Sequence, residues 1–94
     1  METIIVICFN LRDFRSELII RHQPVPDLIR RSIVIDNIRY VAVSNIHHLT
    51  GYRTSLIFWS ENARHHLPDF ELILNHAQRF CMAPFVKKEF KFGR

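Results

Sequence analysis

The stretch that most limits how this chain can fold is the run from Thr3 to Phe9, TIIVICF, which is apolar, largely β-branched and unbroken by any charge. A strand with one face in water alternates apolar and polar residues. An unbroken run of this length is the pattern of a strand covered on both faces, as happens in an α/β sheet flanked by helices. The next residues fit that arrangement. Asn10 is a good helix N-cap, Asp13 places a carboxylate in the first turn, and Leu11, Phe14 and Leu18 recur at helical spacing. The helix is expected to stop before Pro24, because a proline disfavours helical geometry in the preceding residue.

Pro24 and Pro26 mark a connector, with one helical turn expected over Asp27 to Arg31. Ile33 to Ile35 and Ile38 to Val43 read as two strands joined by Asp36-Asn37, residues that tolerate the left-handed conformations of a tight hairpin. Ser44 or Asn45 caps a short turn through His47, His48 and Leu49 that ends at Gly51, where a positive φ is expected. Thr54 to Trp59 reads as a fourth strand and Ser60 to Leu67 as a polar loop. Pro68 suits the first position of a second helix, in which Phe70, Ile73, Leu74, Ala77 and Cys81 form an apolar stripe. The order β-α-β-β-β-α predicts one small α/β domain over residues 1–84, with a four-stranded sheet and two main helices, and a C-terminal extension over residues 85–94.

Ninety-four residues allow a single domain, and 48% hydrophobic with 23% charged residues is the balance of a globular protein rather than a disordered one. The longest apolar run, Ile4 to Phe9, is far too short to cross a bilayer. It follows Glu2 with no basic leader and no small-residue cleavage site after it, so a secretory signal is not expected and a cytosolic location is. Cys8 and Cys81 sit among large apolar neighbours and read as buried free thiols.

Leu49 to Ala63, LTGYRTSLIFWSENA, resembles in outline the second nucleotide-site strand of P-loop ATPases, particularly helicases and phage terminases. In those families a turn with Gly and Arg leads into four apolar strand residues ending in Asp-Glu. Here Leu56, Ile57, Phe58 and Trp59 take the strand place, Ser60 falls where the magnesium-linked aspartate would be, and Glu61 falls on the glutamate that polarises water. The resemblance covers 15 of the 94 residues. A phosphate-binding loop needs glycines whose amides cradle phosphate and a lysine that neutralises it. After the first strand this chain has Asn10-Leu11-Arg12-Asp13 instead, so nucleotide hydrolysis is not expected.

Other chemistry is represented only by fragments. The adjacent pairs His47-His48 and His65-His66 point their side chains apart, and no Cys or second carboxylate joins them and Glu61 at ligand spacing, so no metal site is expected. Ser60, Glu61 and His65 supply the residue types of a nucleophilic relay without any elbow motif around the serine. No cofactor motif is present, and the chain is not expected to be an enzyme.

The charge is concentrated at one end. Lys87, Lys88, Lys91 and Arg94 against Glu89 give +3 of the net +4, leaving +1 for the preceding 84 residues. Tyr52, Arg53 and the tail residues Phe85, Lys87, Lys88, Phe90, Lys91 and Phe92 interleave aromatics with cations, a combination that can stack bases and neutralise phosphates. The alternation of Val86, Lys88, Phe90 and Phe92 is equally that of an edge strand guarded by charge. These features lead to the expectation of a non-enzymatic binding or regulatory protein, of the size of small phage or mobile-element proteins that bind and inhibit a host protein. Its partner is expected to be another protein or a second copy in a homodimer, with no membrane involvement. A nucleic-acid-binding accessory protein using Arg53 and the tail is the alternative.

Overall fold

The computed structural model describes residues 2–21, 25, 30–54 and 56–81. Strands β1 (Glu2–Ile7), β2 (Ser32–Ile35), β3 (Ile38–Val43) and β4 (Leu56–Trp59) form one sheet in the order β2-β3-β1-β4. Helix α1 (Leu11–Arg21) follows β1, a 3-10 turn at Ile46–Leu49 follows β3, and α2 (Glu61–His66) and α3 (Phe70–Phe80) follow β4. β1 is parallel to both neighbours, whereas β2 and β3 form an antiparallel hairpin. The fold is therefore the small α/β domain expected from the order of patterns. Of the turn expected over Asp27 to Arg31, residues 27–29 lie outside the described residues and Arg30 and Arg31 are not helical; the extension over residues 85–94 lies outside the described residues.

Alternation along the strands feeds two separate cores. Ile4, Val6 and Cys8 of the first strand segment, with Tyr40 and Ala42 of β3, pack under Phe14 and Leu18 of α1. Ile5, Ile7, Val41, Val43 and Ile57 point the other way, against Leu49, Ala63, Phe70, Ile73, Ala77 and Cys81. Both faces of β1 are thus covered, which is why its sequence never alternates. Both cysteines are buried and free. Phe9 lies beyond the strand and is exposed, and Leu11 is exposed as well. Leu11 is therefore outside the core, although its spacing matches Phe14 and Leu18.

Local signals set most of the boundaries. Asn10 Oδ1 accepts the Asp13 amide at 2.8 Å, and Asn10 C=O accepts that of Phe14 at 2.9 Å, which caps α1 and starts its ladder. Asp36 and Asn37 have φ of 53° and 65°, the two left-handed residues that a tight hairpin between twisted strands requires. Gly51 has φ +84°, where a Cβ would be strained. Thr54 contributes only an isolated bridge, so β4 begins at Leu56. The Thr54 side chain explains this, because its hydroxyl donates to Thr3 C=O at 2.9 Å and accepts the Ile5 amide at 3.3 Å in place of a regular ladder.

Two boundaries after β4 correct the sequence reading. The segment Ser60 to Leu67 is a capped helix rather than a polar loop: Ser60 Oγ accepts the Ala63 amide at 3.0 Å, Glu61 lies in the first turn, and Arg64, His65 and His66 lie in the last. The Glu61 carboxylate and the Arg64 guanidinium complement the helix dipole. A helix of six residues with one buried side chain, Ala63, has too few apolar positions to show a period. Pro68 lies in the turn before α3 rather than inside it; Asp69 is the N-cap residue and its C=O accepts the Ile73 amide at 2.9 Å. Phe70, Ile73, Ala77 and Cys81 are buried as their spacing predicts, and Leu74 is half-buried at the margin of the same core.

Two outcomes are expected from this packing. Ile73→Ala should destabilise the fold by ~2–5 kcal/mol, with Leu74→Ala costing less because its side chain is only partly covered; urea unfolding of the two variants checks the order. His48 accepts the Ser44 amide through Nδ1 at 3.1 Å, so the bond exists only while that nitrogen is unprotonated. Burial, then the charges of Arg31 and His47, lower its pKa below 6.5. Below that pH the unfolded chain takes up the proton more readily than the folded one, so stability is fully present above pH 6.5 and falls as the pH drops toward the lowered folded value. The contribution is expected to be small because the ring is partly exposed. It is read as the difference between wild type and His48→Gln in melting temperature from about pH 7 to about pH 5.

Candidate functional site

β1 and β4 lie side by side and run in the same direction, yet the chain leaves them toward opposite faces, into α1 from one and α2 from the other. In open α/β sheets the crevice outside the carboxyl ends of two such strands is the usual ligand position, because the diverging connections leave a gap. Here that gap is a pocket of about 260 Å³. Phe9 and Asn10 line it from the exit of β1, Arg12, Asp13, Ser16 and Glu17 from α1, and Asn62 from α2.

Asp13 organises this corner. Its side chain is 7% exposed. One carboxylate oxygen accepts the Phe9 amide at 2.7 Å and the Ser60 hydroxyl, and the other accepts the Asn62 side-chain amide at 3.2 Å. These donors come from the end of β1, the end of β4 and the first turn of α2. The buried carboxylate is thereby satisfied by hydrogen bonds from three segments, as a buried charge requires. The sequence placed Asp13 near the helix dipole, but its reach to Ser60 and Asn62 spans 47 and 49 residues and has no local signature.

The other candidates are not assembled into a reacting group. Ser60 is buried; its hydroxyl donates to Asp13 while its oxygen accepts the Ala63 amide. Glu61 and His65 contact each other at 3.2 Å on the exposed side of α2. His66 lies edge-on to Phe9, with ring centroids 6.0 Å apart. Among the described residues no three His, Cys, Asp or Glu side chains converge as they would around a metal ion. The Cys8 thiol is pushed up to about 12, first by burial and then by the negative charge of Asp13, so it stays protonated and serves as packing. Burial also raises Cys81, whose thiol donates to Leu49 C=O at 3.7 Å. No helix among the described residues is long and apolar enough to cross a membrane.

Tyr52 and Arg53 lie at the opposite end of the sheet, where β4 begins. Tyr52 is half-buried against the core containing α3, and Arg53 is exposed. The Thr54 amide donates to Cys81 C=O at 2.8 Å, which ties this corner to the end of α3, and Arg53 is close enough for its charge to act on the Cys81 thiol. The remaining sequence-derived contact residues, Phe85, Lys87, Lys88, Phe90, Lys91 and Phe92, lie outside the described residues.

Comparison with family models, with curated proteins and with solved structures finds no match to this chain.

The Asp13 cluster makes a stability prediction. Asp13→Ala strips the partner from a backbone amide and a buried hydroxyl, and is expected to destabilise by at least ~1.5–3 kcal/mol, the range for a hydrogen bond to a charged group. Ser60→Ala removes the α2 cap and one bond to Asp13, with an expected loss of ~1–2 kcal/mol. The double variant should lose less than the sum, because the two share a bond; urea unfolding of all three forms checks it.

Proposed function

We propose that this is a non-enzymatic binding or regulatory protein that engages another protein through the corner where Arg53 meets the end of α3. The observation that carries this reading is the hydrogen bond between the Thr54 amide and Cys81 C=O at 2.8 Å. It brings the exposed cation of Arg53 beside Cys81 at the end of α3, the residue after which the sequence becomes rich in Lys and Phe. The engagement of Asp13 and Ser60 with each other and with backbone amides supports a binding role over a catalytic one, since both groups are held as structural bonds. With phosphate-loop residues replaced by Asn10-Leu11-Arg12-Asp13, nucleotide turnover is not part of this function. The size of the chain and the terminase-like outline of residues 49–63 suggest a phage or mobile-element protein acting on a host protein in the cytosol.

The alternative partner, single-stranded nucleic acid, fits the same cations and aromatics, and salt separates the two. Binding to phosphates weakens steeply with salt because condensed counterions are released, whereas an apolar protein contact weakens much less. The immobilised protein is expected to retain a specific protein from nuclease-treated host lysate at raised salt. Arg53→Glu, and removal of residues 87–94, should each reduce that retention while circular dichroism shows the fold intact. Retention lost on nuclease treatment, together with steeply salt-dependent binding of a single-stranded oligonucleotide, would overturn the protein-partner reading in favour of the alternative.

A further inference from the structure

α3 packs one face on the sheet and turns the other to solvent, and the outward face has an internal order. Residues four apart on a helix form continuous ridges. One outward ridge is Leu72, His76 and Phe80; the next is Glu71, Asn75 and Arg79. Leu72 is 53% and Phe80 61% exposed, among the largest apolar exposures in the described chain. His76 stands between them on the ridge, its ring 4.7 Å from that of Phe80, and the Arg79 guanidinium sits 6.0 Å from the same ring. Neither Glu71 nor Arg79 forms a salt bridge among the described residues. Single exposed apolar residues are ordinary, whereas two large ones on one ridge of a helix give that face two apolar anchors.

The order of charges along this face identifies what fits it. The acid stands at the amino end, the base at the carboxyl end, and a large apolar residue beside each. An antiparallel helix carrying the same pattern places a base against Glu71, an acid against Arg79, an apolar side chain against Leu72 and against Phe80, and polar residues against Asn75 and His76. That helix is α3 itself, turned about a two-fold axis between Asn75 and His76. Such an isologous contact satisfies each group twice with the same surface. We infer that the outward face of α3 is a self-association surface, on which two copies pair antiparallel with Leu72 against the partner's Phe80 and Glu71 against the partner's Arg79.

The pairing has a charge-swap signature. Wild type is expected to sediment as a concentration-dependent dimer, with Glu71→Lys and Arg79→Glu each weakening it by about tenfold or more, because each sets like charges together at both ends. Mixing the two single variants should restore association between unlike chains, since the introduced lysine of one chain then faces the introduced glutamate of the other, while the native Arg79 faces the native Glu71. The double variant E71K/R79E should recover self-association for the same reason, and Phe80→Ala should weaken every combination. Circular dichroism on each variant confirms that these exposed positions leave the fold intact. A wild type that stays monomeric up to ~1 mM would overturn the inference. So would a dimer indifferent to the single variants, or single variants that fail to associate when mixed.

Discussion

β1 has a strand on each side and a core on each face, and the rest of the fold is arranged to meet those four demands. Parallel strands need crossovers long enough to return the chain to the same end of the sheet, and these crossovers supply the covering layers. α1 covers one face on the way to the hairpin; the 3-10 turn, α2 and α3 cover the other around β4. The ladder runs past the formal end of the strand, with Cys8 donating to Val43 C=O and Ser60 donating to Ile7 C=O, both at 3.0 Å. The next amide, Phe9, is taken up by Asp13.

That handover puts a buried carboxylate at the end of the strand. Where a nucleotide-binding sheet would present free amides to phosphate, the end of β1 here meets a carboxylate from its own helix. A carboxylate at this position takes up the Phe9 amide and favours the dipole of α1 without any ligand, and through Ser60 and Asn62 it ties the start of α2 to the end of β1. The Asp13 carboxylate in the switch-point crevice is thus satisfied by its own chain. The proposed contact surfaces lie elsewhere, at the Arg53 corner and along α3.

These two surfaces are connected by α3. Its buried stripe ends at Cys81, whose carbonyl holds Thr54, and its outward stripe ends at Phe80, the residue before. Self-association through the outward face would set two Arg53 corners in a fixed relation, since the helix that carries the contact is anchored by Ile73 and Ala77 in the core. Presenting two copies of a short contact together raises the effective concentration of the second contact, which adds avidity without any new group.

The residues that declare themselves in one dimension are those whose role is set by neighbours within a turn or a strand. The β-branched run of β1, the Asn10 cap, the Asp36-Asn37 hairpin, Gly51 and the stripe of α3 follow from backbone sterics and period, and they were enough to identify an α/β domain with four strands and two principal helices. α2 was missed because a single buried alanine carries no period, although its serine cap, leading glutamate and trailing basic residues were all present. Leu11 kept the helical phase of Phe14 and Leu18 yet is exposed, because the sheet ends beneath it. Strand order, the switch point between β1 and β4, and the bonds from Asp13 to Ser60 and Asn62 arise only when the two ends of the sheet are brought together. Local sequence sets which groups are apolar, capped or charged, whereas contact between residues more than forty positions apart depends on how the crossovers stack, and tertiary packing alone decided that.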